Sequence, residues 1–215
     1  MHHPATLSRP APLAELPQAL DDSDARHLRR AIAWACTARA RGNPPFGAVL
    51  VGPRGNVLAE AYCQTHETGD STAHAEMQAL RQIGDRVPRE VLAQSTLYAS
   101  TEPCVMCAGA IFWAGIGRVV FGLDARRLRV LRGSRPEQRD IALSCRAVFS
   151  AAPHPIDCVG PALVAEASAP PCGLLARLTP GRWAQAGPGP RQRSVVQRHK
   201  HLHQKGRSCL PMLIK

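Results

Sequence analysis

A chain of 215 residues, 45% apolar and 20% charged, has the length for one well-buried domain and the composition of a globular protein. No apolar run reaches the roughly 18–20 residues that span a bilayer, and Met1-His2-His3-Pro4 lacks a basic-then-apolar leader, so neither a spanning helix nor export is expected and the cytoplasm is the expected location. The net charge of +11 points to nucleic acid only until it is divided: residues 170–215 carry nine Lys and Arg and no acid, leaving residues 1–169 with eighteen Arg against sixteen Asp and Glu, a net +2.

Residues 1–22, rich in Pro and Ala, read as an irregular arm. Ser23 caps a helix through about Gly42, with Leu28, Ile32, Ala35 and Cys36 on one face. Asn43-Pro44-Pro45 stops it. Strands follow at Ala48–Val51 and Val57–Tyr62, parted by the turn Gly52-Pro53-Arg54-Gly55-Asn56. Asp70-Ser71-Thr72 offers caps for a helix from His74 to about Ile83. Thr96–Ser100 reads as a strand, Pro103–Ala114 as a helix with Pro in its first turn, and Arg118–Gly122 as a strand. Asp124–Arg132 is expected to be helical and Pro155–Val159 to be a fifth strand. Strands alternating with helices favour an α/β sheet covered on both faces. The folded domain is expected over residues 23–169. The Pro/Gly-rich residues 170–215 read as disordered, with an altered terminus and an RNA-binding arm as alternatives.

Chemistry concentrates in His74-Ala75-Glu76 and in Pro103-Cys104-Val105-Met106-Cys107, the paired cysteines beginning 28 positions after Glu76. Cys104 and Cys107 lie three apart at a helix start, so both sulfurs leave one face where the helix end favours thiolate. With the imidazole of His74 they supply three ligands for zinc and leave the fourth position open for water, the mark of a catalytic site. Glu76 is the candidate proton shuttle between water, a ring nitrogen and a departing amine. A closed structural site would need a fourth ligand, for which His66 is the nearest candidate; a redox pair would leave His74 and Glu76 without a role. The other six cysteines show no ligand spacing and read as free thiols, most of them buried.

His-x-Glu followed by Pro-Cys-x-x-Cys resembles the signature of the zinc deaminases. With Pro45–Val51, Asp70–Met77, Leu97–Ile111 and Ile116–Gly122, the chain resembles the cytidine deaminase-like superfamily from about residue 24 to 166, within the branch of guanine deaminases and tRNA adenosine deaminases. The resemblance implies a three-layer α/β/α fold around a mixed sheet of about five strands and a homodimer. It also implies zinc on His74, Cys104 and Cys107, with Glu76 as general acid/base. It places Phe46, Cys63, Ala75 and Trp113 at the substrate. Phe46 is either a stacking face for the base or a core aromatic, and Trp113 either a substrate contact or core or dimer packing. Cys63 stands where both families place an Asn that hydrogen-bonds the base, and a thiol is a poor substitute for an amide. The helix that closes the family fold gives way after Glu166 to Pro- and Gly-rich sequence.

The expected function is zinc-dependent hydrolytic deamination of an aminated nucleobase or nucleoside ring, a purine of guanine type first. Its alternatives are a tRNA-specific adenosine deaminase making inosine at the wobble position, and a non-catalytic subunit that keeps zinc for structure. Intact Glu76 argues against the last.

Overall fold

The computed structural model describes residues 20–132 and 141–168. Residues 1–19 of the expected arm and the expected tail lie outside the described residues, and the arm's expected end at residue 22 is already in the first helix, which Asp21 caps. Helix α1 spans Asp22–Ala40, and Asp21 rather than Ser23 caps it, its carboxylate accepting the Asp24 N–H at 2.6 Å. A carboxylate at that position also suits the positive helix end. Strands β1 (Gly47–Val51) and β2 (Val57–Tyr62) form an antiparallel hairpin. Then come α2 (Thr65–Thr68), α3 (Ala75–Ile83), α4 (Arg89–Leu92), β3 (Thr96–Thr101), α5 (Val105–Ala114) and β4 (Arg118–Leu123). The described chain ends with α6 (Ala125–Arg132), α7 (Cys145–Ser150), β5 (Asp157–Val159) and α8 (Val164–Ser168).

The sheet order is β2-β1-β3-β4-β5, with β1 antiparallel to β2 and β3, and β4 parallel to β3 and β5. It is the mixed five-stranded sheet that the resemblance implies. Period-two alternation sorts each inner strand onto two cores. Ala48, Leu50, Leu97, Ala99, Val119 and Phe121 face a cluster with Ala75, Ala79 and Ile83 of α3, Ala108 and Ile111 of α5, and Phe149 of α7. Val49, Val51, Tyr98, Val120 and Val159 face Leu28, Ala31 and Ile32 of α1 and Ala167 of α8. Helices therefore cover both faces, giving three layers. Full burial of side chains such as Leu28 and Ile32 contributes about 1.5–3 kcal/mol each.

Helix α1 lies close enough on β1 that only glycine fits at the start of the strand. A Cβ on Gly47 would meet Ala31 O at 2.2 Å and Ala35 N at 2.6 Å, both backbone atoms that no rotamer change can move. Gly47→Ala is expected to lift α1 and lower stability by roughly 1–3 kcal/mol. A reduced urea midpoint at unchanged m-value checks this; an unchanged midpoint would show that α1 is not seated there.

One polar cluster ties α1 to three strands. Asp24, 4% exposed, accepts hydrogen bonds from Arg118 Nη1 and Nη2 at 2.7 Å each and from Tyr98 Oη at 2.7 Å. Arg118 Nε also donates to Asp157 on β5 at 3.0 Å. Among the remaining cysteines, Cys63, Cys145 and Cys158 are free thiols, whereas Cys36 is disulfide-bonded, against expectation. No described helix is long and apolar enough to cross a membrane.

Candidate active site

The sheet register gathers the chemistry at one rim. Gly47 pairs with Tyr62, Ala48 with Ala99 and Thr101 with Leu123, so the start of β1 and the ends of β2, β3 and β4 lie together. In open α/β sheets the carboxyl ends of parallel strands are where ligands bind. Phe46 immediately precedes β1, Cys63 follows β2, and α5 begins four residues after β3.

His74 and Cys104 are helix caps, not first-turn residues. Both backbones are extended, with φ −67 and ψ 158 at His74 and φ −69 and ψ 170 at Cys104. An ideal helix would set His74 and Glu76 about 200° apart. The extended cap releases His74 from that constraint, and Pro103 accordingly lies outside α5. His74 Nδ1 is 3.6 Å from Cys104 Sγ and 3.6 Å from Cys107 Sγ, and all three donor atoms fall within 4.8 Å of one another. A tetrahedral zinc with Zn–S of about 2.3 Å and Zn–N of about 2.05 Å has an N···S edge of about 3.6 Å. The donor set fits the metal in size and chemistry. His66 stands outside it, its Nδ1 against Gly42 O at 2.9 Å, so the fourth ligand of a closed site is not supplied there.

Electrostatics at these groups follow from their proximity. The Cys107 thiol hydrogen-bonds Cys104, which with His74 lowers the Cys104 pKa to about 4 against an opposing effect of burial. Cys107 moves upward because it holds the shared proton and is buried. A divalent cation would take the place of that proton. Glu76 is 6% exposed, and burial holds its carboxyl above the ordinary range despite a hydrogen bond from its own backbone N–H.

Phe46 and Cys63 sit together, with the Cys63 N–H donating to Phe46 O at 2.9 Å. Cys63 is buried, and its sulfur lies 3.5 Å from Thr65 Oγ1. Phe46 is half-buried and packs on the core that lies beneath α3, the second of its two expected roles. Ala75 is wholly buried in that core. Trp113 is 76% exposed with Phe112 edge-on at 5.1 Å, which removes core packing as its role within one chain.

Two residues escaped the sequence reading. The Arg132 guanidinium lies 5.1 Å over the Phe46 ring, and its charge acts on both His74 and Cys63. Glu102, two positions before Cys104, accepts the Ala125 N–H at 2.9 Å and the Cys145 N–H at 3.1 Å, as well as the Ser144 hydroxyl. It pins the starts of α6 and α7 to the cysteine loop. The only sequence signal for Arg132 was its place in the Arg-rich run 126–132, and Glu102 gave none.

The donor set could hold a metal ion, with the buried Glu76 carboxyl beside it. Residues 21–123 match the family model for the cytidine and deoxycytidylate deaminase zinc-binding region. A probable cytosine deaminase of Schizosaccharomyces pombe is 41% identical over 155 residues, covering 72% of this chain and 94% of that protein. A tRNA-specific adenosine deaminase of Haemophilus influenzae is 43% identical over 99 residues, 46% of this chain and 57% of that one. The solved structure of a tRNA:A34 deaminase superposes with a TM-score of 0.54 at 31% identity, over 67% of this chain and 97% of that chain. Guanine deaminase from Nitrosomonas europaea shares the fold, with a TM-score of 0.54 at 22% identity over 81% of this chain and 97% of that one. The chain belongs to the cytidine and deoxycytidylate deaminase family and is a hydrolase acting on C–N bonds of nucleobases or nucleosides.

Proposed function

We propose that the chain deaminates a free aminated nucleobase, with His74, Cys104 and Cys107 holding zinc and Glu76 carrying protons. The observation that carries this reading is the 3.6 Å convergence of both thiols on His74 Nδ1, with Glu76 buried two residues along the same segment. When bound, zinc supplies a Lewis acid that makes water a nucleophile near neutral pH. Glu76 accepts a proton from the attacking water and delivers it to the ring nitrogen beside the C–NH2 carbon. That carbon is thereby made electrophilic. A second transfer to the amine releases ammonia and leaves the oxo ring. Phe46 and the Arg132 guanidinium stacked over its ring would border the bound base. Cys63 lines the same rim, and the wholly buried Ala75 sets the floor on which α3 starts.

Cytosine and guanine both carry an amine beside a ring nitrogen and a carbonyl elsewhere on the ring, so both suit this scheme. Likeness over nearly the whole length of a probable cytosine deaminase supports the free pyrimidine base. Pro45-Phe46-Gly47 and Phe112-Trp113-Ala114 support the guanine-type purine. Ammonia release from cytosine, guanine, adenine, cytidine and guanosine by zinc-loaded protein tests the reading. Faster turnover of a free base than of its nucleoside is expected; turnover of no compound in the panel removes the proposal.

A second reading, editing of tRNA adenosine, is favoured by Arg126, Arg127, Arg129 and Arg132 on α6, the last of which reaches the rim. Under that reading tRNA binding falls steeply with salt. A homodimer belongs to both readings, with exposed Trp113 providing an apolar face for the second copy.

A further inference from the structure

Two thiols lie outside the deaminase chemistry. Cys145 is the first residue of α7 and is wholly buried; Cys158 is the middle residue of β5 and is half-buried. Their sulfurs are 3.6 Å apart, and both residues are free thiols. We propose that Cys145 and Cys158 are a modification site, a dithiol that a hydroperoxide converts to a reversible disulfide joining α7 to β5. An S–S bond is about 2.05 Å long, so the sulfurs need close only ~1.5 Å. Helix and strand are already held together by Arg146, whose guanidinium donates to the carbonyls of Cys158 and Gly160.

The surroundings give the two sulfurs different parts. Hydrogen bonding from the Cys145 thiol, reinforced by the Arg146 charge, favours Cys158 as thiolate, whereas sharing that proton and burial keep Cys145 protonated. Cys158 is also the more exposed of the pair, so it meets the oxidant first. Its thiolate attacks one oxygen of hydrogen peroxide: an S–O bond forms, the O–O bond breaks, and the departing hydroxide takes a proton to become water. The Cys158 sulfenic acid is then attacked by the Cys145 sulfur. An S–S bond forms, the S–O bond breaks, and the leaving hydroxide takes the Cys145 proton as the second water. Two thiols and one peroxide yield one disulfide and two waters. A thiol reductant reverses the change by exchange. Cys63, whose sulfur contacts a threonine hydroxyl, lacks this arrangement of nucleophile and resolving sulfur.

The test uses full-length, zinc-loaded protein treated with a small excess of hydrogen peroxide, then alkylated, digested and mapped by mass spectrometry. The expected product is a linked pair of peptides containing Cys145 and Cys158, 2 Da lighter than the two thiol forms and restored by dithiothreitol, with the zinc content unchanged. In Cys145→Ser, Cys158 is expected to be trapped by dimedone as the sulfenic acid; in Cys158→Ser, Cys145 stays reduced. Mapping of the parent protein does not depend on either variant folding. Oxidation confined to Cys104 and Cys107 with loss of zinc would overturn the proposal, as would Cys158 passing to the sulfinic acid in the parent with no linked peptide.

Discussion

Glu76→Ala is expected to retain one zinc per chain while kcat/KM on the best base in the panel falls by about 10²–10⁴-fold, the usual contribution of a positioned general acid/base. The separation of the two readouts is what makes the experiment decisive. The three donors converge on one another without the Glu76 carboxyl, so metal retention should survive its loss. Alanine leaves a small cavity at a position that is 6% exposed, and a modest loss of stability accompanies the change. Metal analysis on the purified variant, a melting curve and initial rates therefore belong together. Activity within a few fold of the parent, with zinc bound and the fold intact, would refute the proton-carrying role. Loss of zinc along with activity would instead make Glu76 part of what holds the donor set.

Asp24→Asn is expected to lower stability by about 3 kcal/mol and Tm by roughly 6–12 °C, with ring turnover per folded molecule unchanged. The substitution keeps shape but removes the charge that three hydrogen bonds converge on, leaving the Arg118 guanidinium against a neutral amide. Breaking one side of a buried ion pair is costly, and Arg118 keeps only the more exposed Asp157 carboxylate as its partner, which sets the effect at the lower end for such pairs. The pH dependence gives an independent check. Hydrogen bonding from Arg118, and then from Tyr98, holds the Asp24 carboxyl below the usual aspartate range against the opposing effect of burial. The folded chain thus binds this proton less readily than the unfolded one. The contribution is fully present above the unfolded-state value of about 3.9 and is lost as pH falls through the lower folded-state value. Parent and variant should converge on acidification below about pH 4. A stability gap as wide at pH 3 as at pH 7 would assign the effect to packing rather than to the charge.

Strands were the most legible part of the fold. Val57–Tyr62 was bounded as observed, and Gly47–Val51, Thr96–Thr101 and Arg118–Leu123 within one residue at each end, because short apolar runs that are buried on both faces, or alternate as in Val57–Tyr62, stand out between turn and helix-stop residues. Short helices were invisible for the opposite reason. Thr65–Thr68 and Arg89–Leu92 make little more than one turn, too few residues to show an apolar face. The donor set was readable because its residue types and spacing are constrained by metal chemistry. The cap geometry that lets His74 and Glu76 converge was not, since it depends on extended dihedrals at one residue. Neither Arg132 over Phe46 nor Cys145 against Cys158 was legible, as both pairs are brought together by tertiary packing.

The register that collects the start of β1 and the ends of β2, β3 and β4 along one rim, beside Phe46, Cys63 and the cysteine loop, sets the 52–56 turn and the Ile116–Gly117 approach to β4 at the opposite edge, away from the candidate metal donors. Side chains that hold the sheet together and side chains that meet a ring are thus drawn from different sets of positions. Ring preference can drift through the connecting segments on one side while the scaffold stays as it is, and hardening the far side by design need not disturb selectivity.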